Sequence, residues 1–233
     1  MAYYLYNSRH LYKCNERTLN NWSSNYSVIM WCVMIPSFIF AVMLTFSFRL
    51  IETFLSANKK KYTVYCWGAL VIALSFIIKE NYVFRLPQNI VMMLPSLFIN
   101  LILVCIISKY SGFCPESTFD RINFIITYPI LEEIAFRGLI LANLAKYAVL
   151  TKFYCIPFIM SLSLAAVISA FLFAVHLQFH KLDMQNIRFM IFAFVGGLFF
   201  GVIAQETQSI ALTIPLHIVF NGSATYYSGT RQS

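Results

Sequence analysis

Seven long apolar runs, near 28–48, 62–78, 88–108, 121–149, 155–177, 187–205 and 209–227, take up most of this chain and constrain its fold more than any other feature. A helix needs about 20 predominantly apolar residues to cross the hydrocarbon of a bilayer, and every run comes near or exceeds that length. The runs are continuously apolar, which excludes a membrane barrel, whose strands change polarity at about every second residue. The expected fold is therefore all-α, a polytopic transmembrane helical bundle of about seven spans. Only 11% of the 233 residues are charged and the mean hydropathy is +0.71, against about a quarter charged in a soluble domain. Too little polar surface is left for a separate soluble domain.

Polar patches separate the runs, among them Asn58-Lys59-Lys60-Lys61, Lys79-Glu80-Asn81, His180-Lys181-Leu182-Asp183 and Gln205-Glu206-Thr207-Gln208. The net charge of +8 is spread over these patches, as in basic loops beside anionic lipid head groups. It forms no continuous stripe, so nucleic acid is not an expected partner. Cys14, Cys32, Cys66, Cys105, Cys114 and Cys155 show no CxxC spacing and are expected to be free thiols behaving as small hydrophobes. The polar segment 1–27 delays the first apolar run too long for an ordinary cleaved signal peptide. Pro36, Pro95, Pro129, Pro157 and Pro215 fall in or beside spans, where neighbouring helices can satisfy the freed backbone groups. Gly197-x-x-x-Gly201 is a small-xxx-small step that lets two helix backbones approach closely.

The most informative residues are ionisable groups at membrane depth. A charge at the bilayer centre costs roughly 2.5–3.5 kcal/mol on insertion scales, yet the fourth run contains Leu131-Glu132-Glu133-Ile134-Ala135-Phe136-Arg137-Gly138. Glu133 and Arg137 are four apart with the carboxylate on the N-terminal side, the favourable order for an ion pair on one helix face. Glu132 is rotated by about 100° from that face and remains free for chemistry. Run five ends at His176, and run seven holds His217 and Asn221, four apart and so on one face. Taken singly, each is accounted for by helix packing or interhelical hydrogen bonds. Their occurrence on three helices in a hydrolytic combination points to function, the default reading for ionisable groups in membranes. His10 and His180 lie in polar patches and are expected to be solvated.

Glu132-Glu133-x-x-Phe136-Arg137-Gly138, a Phe-rich stretch ending in His176, and His217-x-x-x-Asn221 resemble the three ordered motifs of the CPBP intramembrane proteases. That family comprises the type II CAAX prenyl endopeptidases and bacterial Abi-type proteins of bacteriocin processing and immunity. The resemblance covers 119–226, a catalytic membrane core preceded by non-specific spans over 28–118 and followed by a polar tail, 227–233. In one respect the sequence departs from the family. The second motif is usually Phe-x-x-x-His, whereas Leu172 stands four before His176, with Phe173 three before and Phe171 five before. The aromatic has moved around the helix.

Peptide hydrolysis needs an activated water and a group that stabilises the developing oxyanion. Glu132 suits the base, His176 can hold the water or shuttle its proton, and His217 with Asn221 can donate to the carbonyl oxygen. Glu133 and Arg137 would support them. The resemblance implies the same division for a glutamate-dependent endopeptidase without metal or other cofactor. Two other readings stay open on these residues. Glu132, His176 and His217 form a set used by catalytic zinc, although no HExxH is present and Asn221 is a poor zinc ligand. A non-catalytic immunity or regulatory binding protein could keep the same residues. A transporter is disfavoured because no paired inverted halves are visible. The expected substrate is a membrane-associated peptide or protein, and the expected location a bacterial cytoplasmic membrane, crossed several times.

With seven spans, Arg49, Lys59, Lys60, Lys61, Lys109, Arg121, Lys181, Arg188 and Arg231 share one side, nine against seven on the other. The positive-inside rule then turns that side to the cytoplasm. Antiparallel adjacency puts Glu132 and His176 near the same face, with Phe113 and Lys181 on one side of the membrane.

Overall fold

A computed structural model describes residues 16–109, 117–147, 150, 154–156, 160–177 and 184–229. His10, His180, Phe113 and Lys181, for which the sequence raised expectations, lie outside the described residues. Among the described residues the regular elements are helices and one short β-hairpin, and the α- and π-helical segments form seven rods. These are α1 (Glu16–Phe54), α2 (Thr63–Ile77), α3 (Ile90–Ser108), α4 (118–145), α5 (Leu164–Leu177), α6 (Met184–Thr207) and α7 (Thr213–Gly229). Two compact units divide the chain, Met1–Ile39 and Phe40–Ser233. Of the first unit the helix from Glu16 onward is described. The site lies entirely within the second.

Two stretches, Met34–Phe54 and Phe189–Thr207, are long and apolar enough to cross a membrane, and Met93–Ser108 and Leu164–Leu177 are shorter apolar helices. Helices of the second unit turn apolar side chains outward, as Leu70, Phe76, Val91, Phe98 and Ile106 do. An outer surface of this kind is a liability in water and the normal exterior in lipid. Cys66 and Cys105 are free thiols on it.

The structure departs from the sequence expectation in run five. Residues 155–177 were expected to be one span, but β1 (Tyr154–Ile156) pairs antiparallel with β2 (Met160–Leu162), and only Leu164–Leu177 is helix. Pro157 explains the break, since the residue before a proline is pushed toward extended backbone and the proline itself lacks an N–H. Helix α5 then starts on Ser163, whose Oγ accepts from Ala166 N at 3.0 Å and donates to Gln205 Oε1. At the N-terminus helix begins at Glu16, inside the polar segment 1–27.

Rod α4 is not a uniform helix. It is α over Thr118–Ile122, π over Asn123–Thr127, α over Tyr128–Glu132, π over Glu133–Leu141 and α over Ala142–Ala145. Ser117 caps it, accepting from Asp120 N at 3.0 Å. Pro129 lies just past the first π segment, where Tyr128 N bonds to Asn123 O, five residues back. In that register the carbonyl of Phe124 would bond to the nitrogen of Pro129, which carries no hydrogen. π segments of this kind gather at functional sites.

The loop between α2 and α3 straps the bundle together. Asn81 Nδ2 donates to the Ser75 and Ile78 carbonyls at the open end of α2, where such groups have no intrahelical partner. Tyr82 N then donates to Gly138 O at 3.0 Å, and Ile210 N to Tyr82 O at 3.3 Å. One residue thus links the second π segment to the turn that launches α7. A side chain at Gly138 would collide with Val83 Cγ2, 2.6 Å from an added Cβ.

Helices α5 and α6 meet through small residues, as the glycine step implied. A Cβ at Gly197 would lie 3.0 Å from Ala170 Cβ and 3.1 Å from Ala170 Cα, and one at Gly201 3.4 Å from Ala166 Cβ. Gly197→Ala is therefore expected to lower stability by about 1–3 kcal/mol, the usual range for overpacking. Gly196→Ala is the control, because its added Cβ meets nothing within 4 Å. Thermal midpoints in detergent should fall for the first variant alone. An equal loss in both would show that the close approach is unimportant.

Candidate active site

Glu132 and Glu133 sit at the junction where α4 changes from α to π winding, and both are buried. The ion pair expected between Glu133 and Arg137 is present, with Arg137 Nη1 donating to Glu133 Oε1 at 2.8 Å. The same Oε1 lies 2.9 Å from His217 Nδ1. A carboxylate oxygen accepts, so Nδ1 carries the hydrogen and Nε2 is turned away from Glu133. Nε2 lies 3.7 Å from Glu132 Oε2. That distance is too long for a direct hydrogen bond and suits a group held between them.

Arg137 is fully buried. Its Cζ lies 4.4 Å from the Phe173 ring centroid and 5.6 Å from that of Phe200, while Nη2 makes no hydrogen bond and borders Gly197. Rings on its open side partly replace the water such a charge loses. The edge of Phe173 also faces His217, and Phe200 packs tilted on the same imidazole. The displaced aromatic of the second motif is thereby accounted for. Phe173 serves Arg137 and His217, Leu172 is buried, and Phe171 is 56% exposed.

His176 occupies a neighbouring cage. Its Nδ1 is 3.0 Å from the Thr45 carbonyl of α1. Trp67 of α2 stacks on the ring at 5.1 Å and 25°, Phe48 of α1 meets it edge-on at 5.5 Å, and Phe136 of α4 is tilted at 5.2 Å. Phe136 also touches Phe173, so two rings connect the imidazoles of His176 and His217. Ser169 Oγ of α5 donates to the Phe136 carbonyl at 2.8 Å and ties this part of the π segment down.

Asn221 shares the α7 face with His217 but points one amide hydrogen elsewhere. Its Nδ2 donates to Phe124 O at 2.7 Å, a carbonyl to which the nitrogen of Pro129 cannot donate. The amide nitrogen carries a second hydrogen besides the one given to Phe124. Asn221→Leu is expected to cost about 0.5–1.5 kcal/mol, the usual net worth of a hydrogen bond, because it removes the interhelical bond to Phe124 O, in addition to any catalytic loss. Unfolding in detergent checks it. Unchanged stability would leave Asn221 without the structural task that its bond to Phe124 assigns it.

Structure thus brings Glu132, Glu133, Arg137 and His217 into one network, sets His176 in an adjoining cage, and uses Asn221 to mend α4. Thr45, Phe48, Trp67, Tyr128 and Ser169 were not marked by the sequence reading. Pro129 is the one signal that pointed to a backbone group bonded by a neighbouring helix. Among the described residues no three His, Cys, Asp or Glu side chains are grouped as a metal ion requires.

Carboxylates and imidazoles buried together on three helices with apolar exteriors belong to the class of buried ionisable clusters that mark functional sites in membrane proteins. Comparison with known proteins narrows the class. Residues 114–223 match the family described as type II CAAX prenyl endopeptidase Rce1-like, and the match supports the resemblance drawn from the three motifs. No curated protein and no solved structure gives a match.

Proposed function

We propose that the chain is a multi-pass intramembrane endopeptidase of about seven spans that cleaves a membrane-associated peptide or protein with a water activated by Glu132. The observation that carries this reading is the 3.7 Å gap between Glu132 Oε2 and His217 Nε2, beside a Glu133 carboxylate already engaged by Arg137 and His217. Glu132 takes a proton from water, and the water oxygen attacks the scissile carbonyl carbon. His217, in its doubly protonated form, and the second Nδ2–H of Asn221 donate to the oxygen as it becomes negative. Collapse breaks the carbon–nitrogen bond, and the leaving nitrogen receives the proton from Glu132 directly or through His176. Glu133 and Arg137 hold His217 in the orientation that presents Nε2. No step calls for a metal or other cofactor. The location proposed is a bacterial cytoplasmic membrane, with the nine-cation side inward.

The test uses the purified chain in lipid nanodiscs with two internally quenched peptides. One ends in a farnesylated cysteine followed by three residues, and the other is identical without the lipid. Cleavage of either peptide in excess EDTA is the expected result, and the ratio of the two rates reports whether a prenyl group is recognised. Cleavage lost in EDTA and restored by zinc would establish a metalloprotease instead. No cleavage of either peptide would overturn the reading.

A further inference from the structure

We propose that Trp67 is a positioning residue for His176, holding the imidazole so that its Nε2 is the nitrogen that exchanges protons during peptide hydrolysis. The proposal rests on the endopeptidase reading and adds to it a part of the chain, before residue 114, that the family match leaves out. A carbonyl oxygen can only accept, so the 3.0 Å contact with Thr45 puts the hydrogen of the neutral ring on Nδ1 and the lone pair on Nε2. One hydrogen bond leaves the ring free to swing about that axis. Trp67 removes the freedom by lying nearly parallel to the ring, with Phe48 and Phe136 closing other sides.

Trp67 is itself anchored. It is fully buried, and its Nε1–H donates to Ser47 Oγ at 3.0 Å, which in turn donates to Leu44 O at 2.7 Å. Residues 44–48 of α1 therefore hold both the nitrogen of His176 and the indole that orients it. A shuttling imidazole carries positive charge for part of the cycle, and the face of an indole is the aromatic surface that best accommodates a cation. Plain packing would be met by any ring of similar bulk in any orientation. A parallel indole, hydrogen-bonded at its far edge, beside an imidazole with one nitrogen already engaged, meets the more exacting need of presenting Nε2.

The experiment combines the peptide assay with nitrogen NMR of the full chain, labelled at its histidine rings, in detergent micelles; His176→Gln identifies the His176 signals. At about pH 8, where an ordinary histidine is neutral, wild type is expected to show His176 as a single tautomer with the hydrogen on Nδ1. Trp67→Leu is expected to lower kcat about tenfold or more with KM within about twofold, the pattern of a group that aids the reacting state and not substrate binding. Its His176 signals should spread between tautomers. Trp67→Phe should recover most of kcat. Ser47→Ala, which keeps the indole but frees its edge, should give a smaller loss of the same kind and serves if Trp67→Leu does not fold. A wild-type spectrum with the hydrogen on Nε2, or kcat unchanged in both Trp67→Leu and Ser47→Ala, overturns the proposal. A wild type with the expected tautomer that cleaves no peptide overturns the endopeptidase reading and leaves the positioning of His176 standing.

Discussion

Glu132→Gln is expected to reduce peptide cleavage by roughly 10²- to 10⁴-fold, the usual contribution of a general base, while the protein accumulates in membranes as before. Glutamine keeps the volume and hydrogen-bonding reach of the side chain but cannot take a proton from water. Folding should survive because the Arg137 ion pair and the Nδ1 bond of His217 belong to Glu133. The assay is peptide cleavage by purified protein, with abundance followed in the membrane fraction. Full activity in purified Glu132→Gln would remove Glu132 from the mechanism. A biological effect retained by a variant that no longer cleaves would favour action by binding.

The second large effect is on stability. Arg137→Met, which takes the guanidinium from the buried Glu133 carboxylate and leaves it the His217 bond, is expected to destabilise the chain by about 3–5 kcal/mol. Glu133→Leu, which strands Arg137, should cost a similar amount. Replacing both residues together should cost much less than the sum, because neither member of the pair is then left without the other. His217 also loses its acceptor whenever Glu133 goes, so the double variant should be more stable than Glu133→Leu and still inactive. Glu133→Gln, which keeps an oxygen for both neighbours, should show partial activity with reduced abundance. Thermal unfolding of the three replacement variants in detergent forms a double-mutant cycle. Simple additivity would mean that the pair is not energetically coupled, contrary to the 2.8 Å contact.

Much of this protein was legible without coordinates because the features in question are local. Continuous apolar runs pointed to helices, and the run 155–177, which contains Pro157, is helix only over Leu164–Leu177 among its described residues. The Glu133–Arg137 pair followed from four-residue spacing on one helix, and Gly197-x-x-x-Gly201 from the need for small residues where backbones touch. The three motifs named the chemical groups and assigned Glu132 to the unpaired position.

What tertiary structure alone decided are the contacts between helices. The bonds of His217 to Glu133, Asn221 to Phe124 and His176 to Thr45 span 84, 97 and 131 residues. Their formation depends on how each helix is rotated about its axis. In a soluble protein an apolar stripe announces that rotation, but helices that are apolar on the lipid side as well as the inner side carry no such stripe. Trp67 and Phe48 thus looked like any other aromatic of a span until packing set them against His176. The bond from Asn221 to Phe124 likewise joins α7 to the π-wound part of α4, a pairing that no local pattern around either residue announces. The kinds of group in the site were written in the chain, and their partners were settled by the packing of rods whose sequences say little about which way they face.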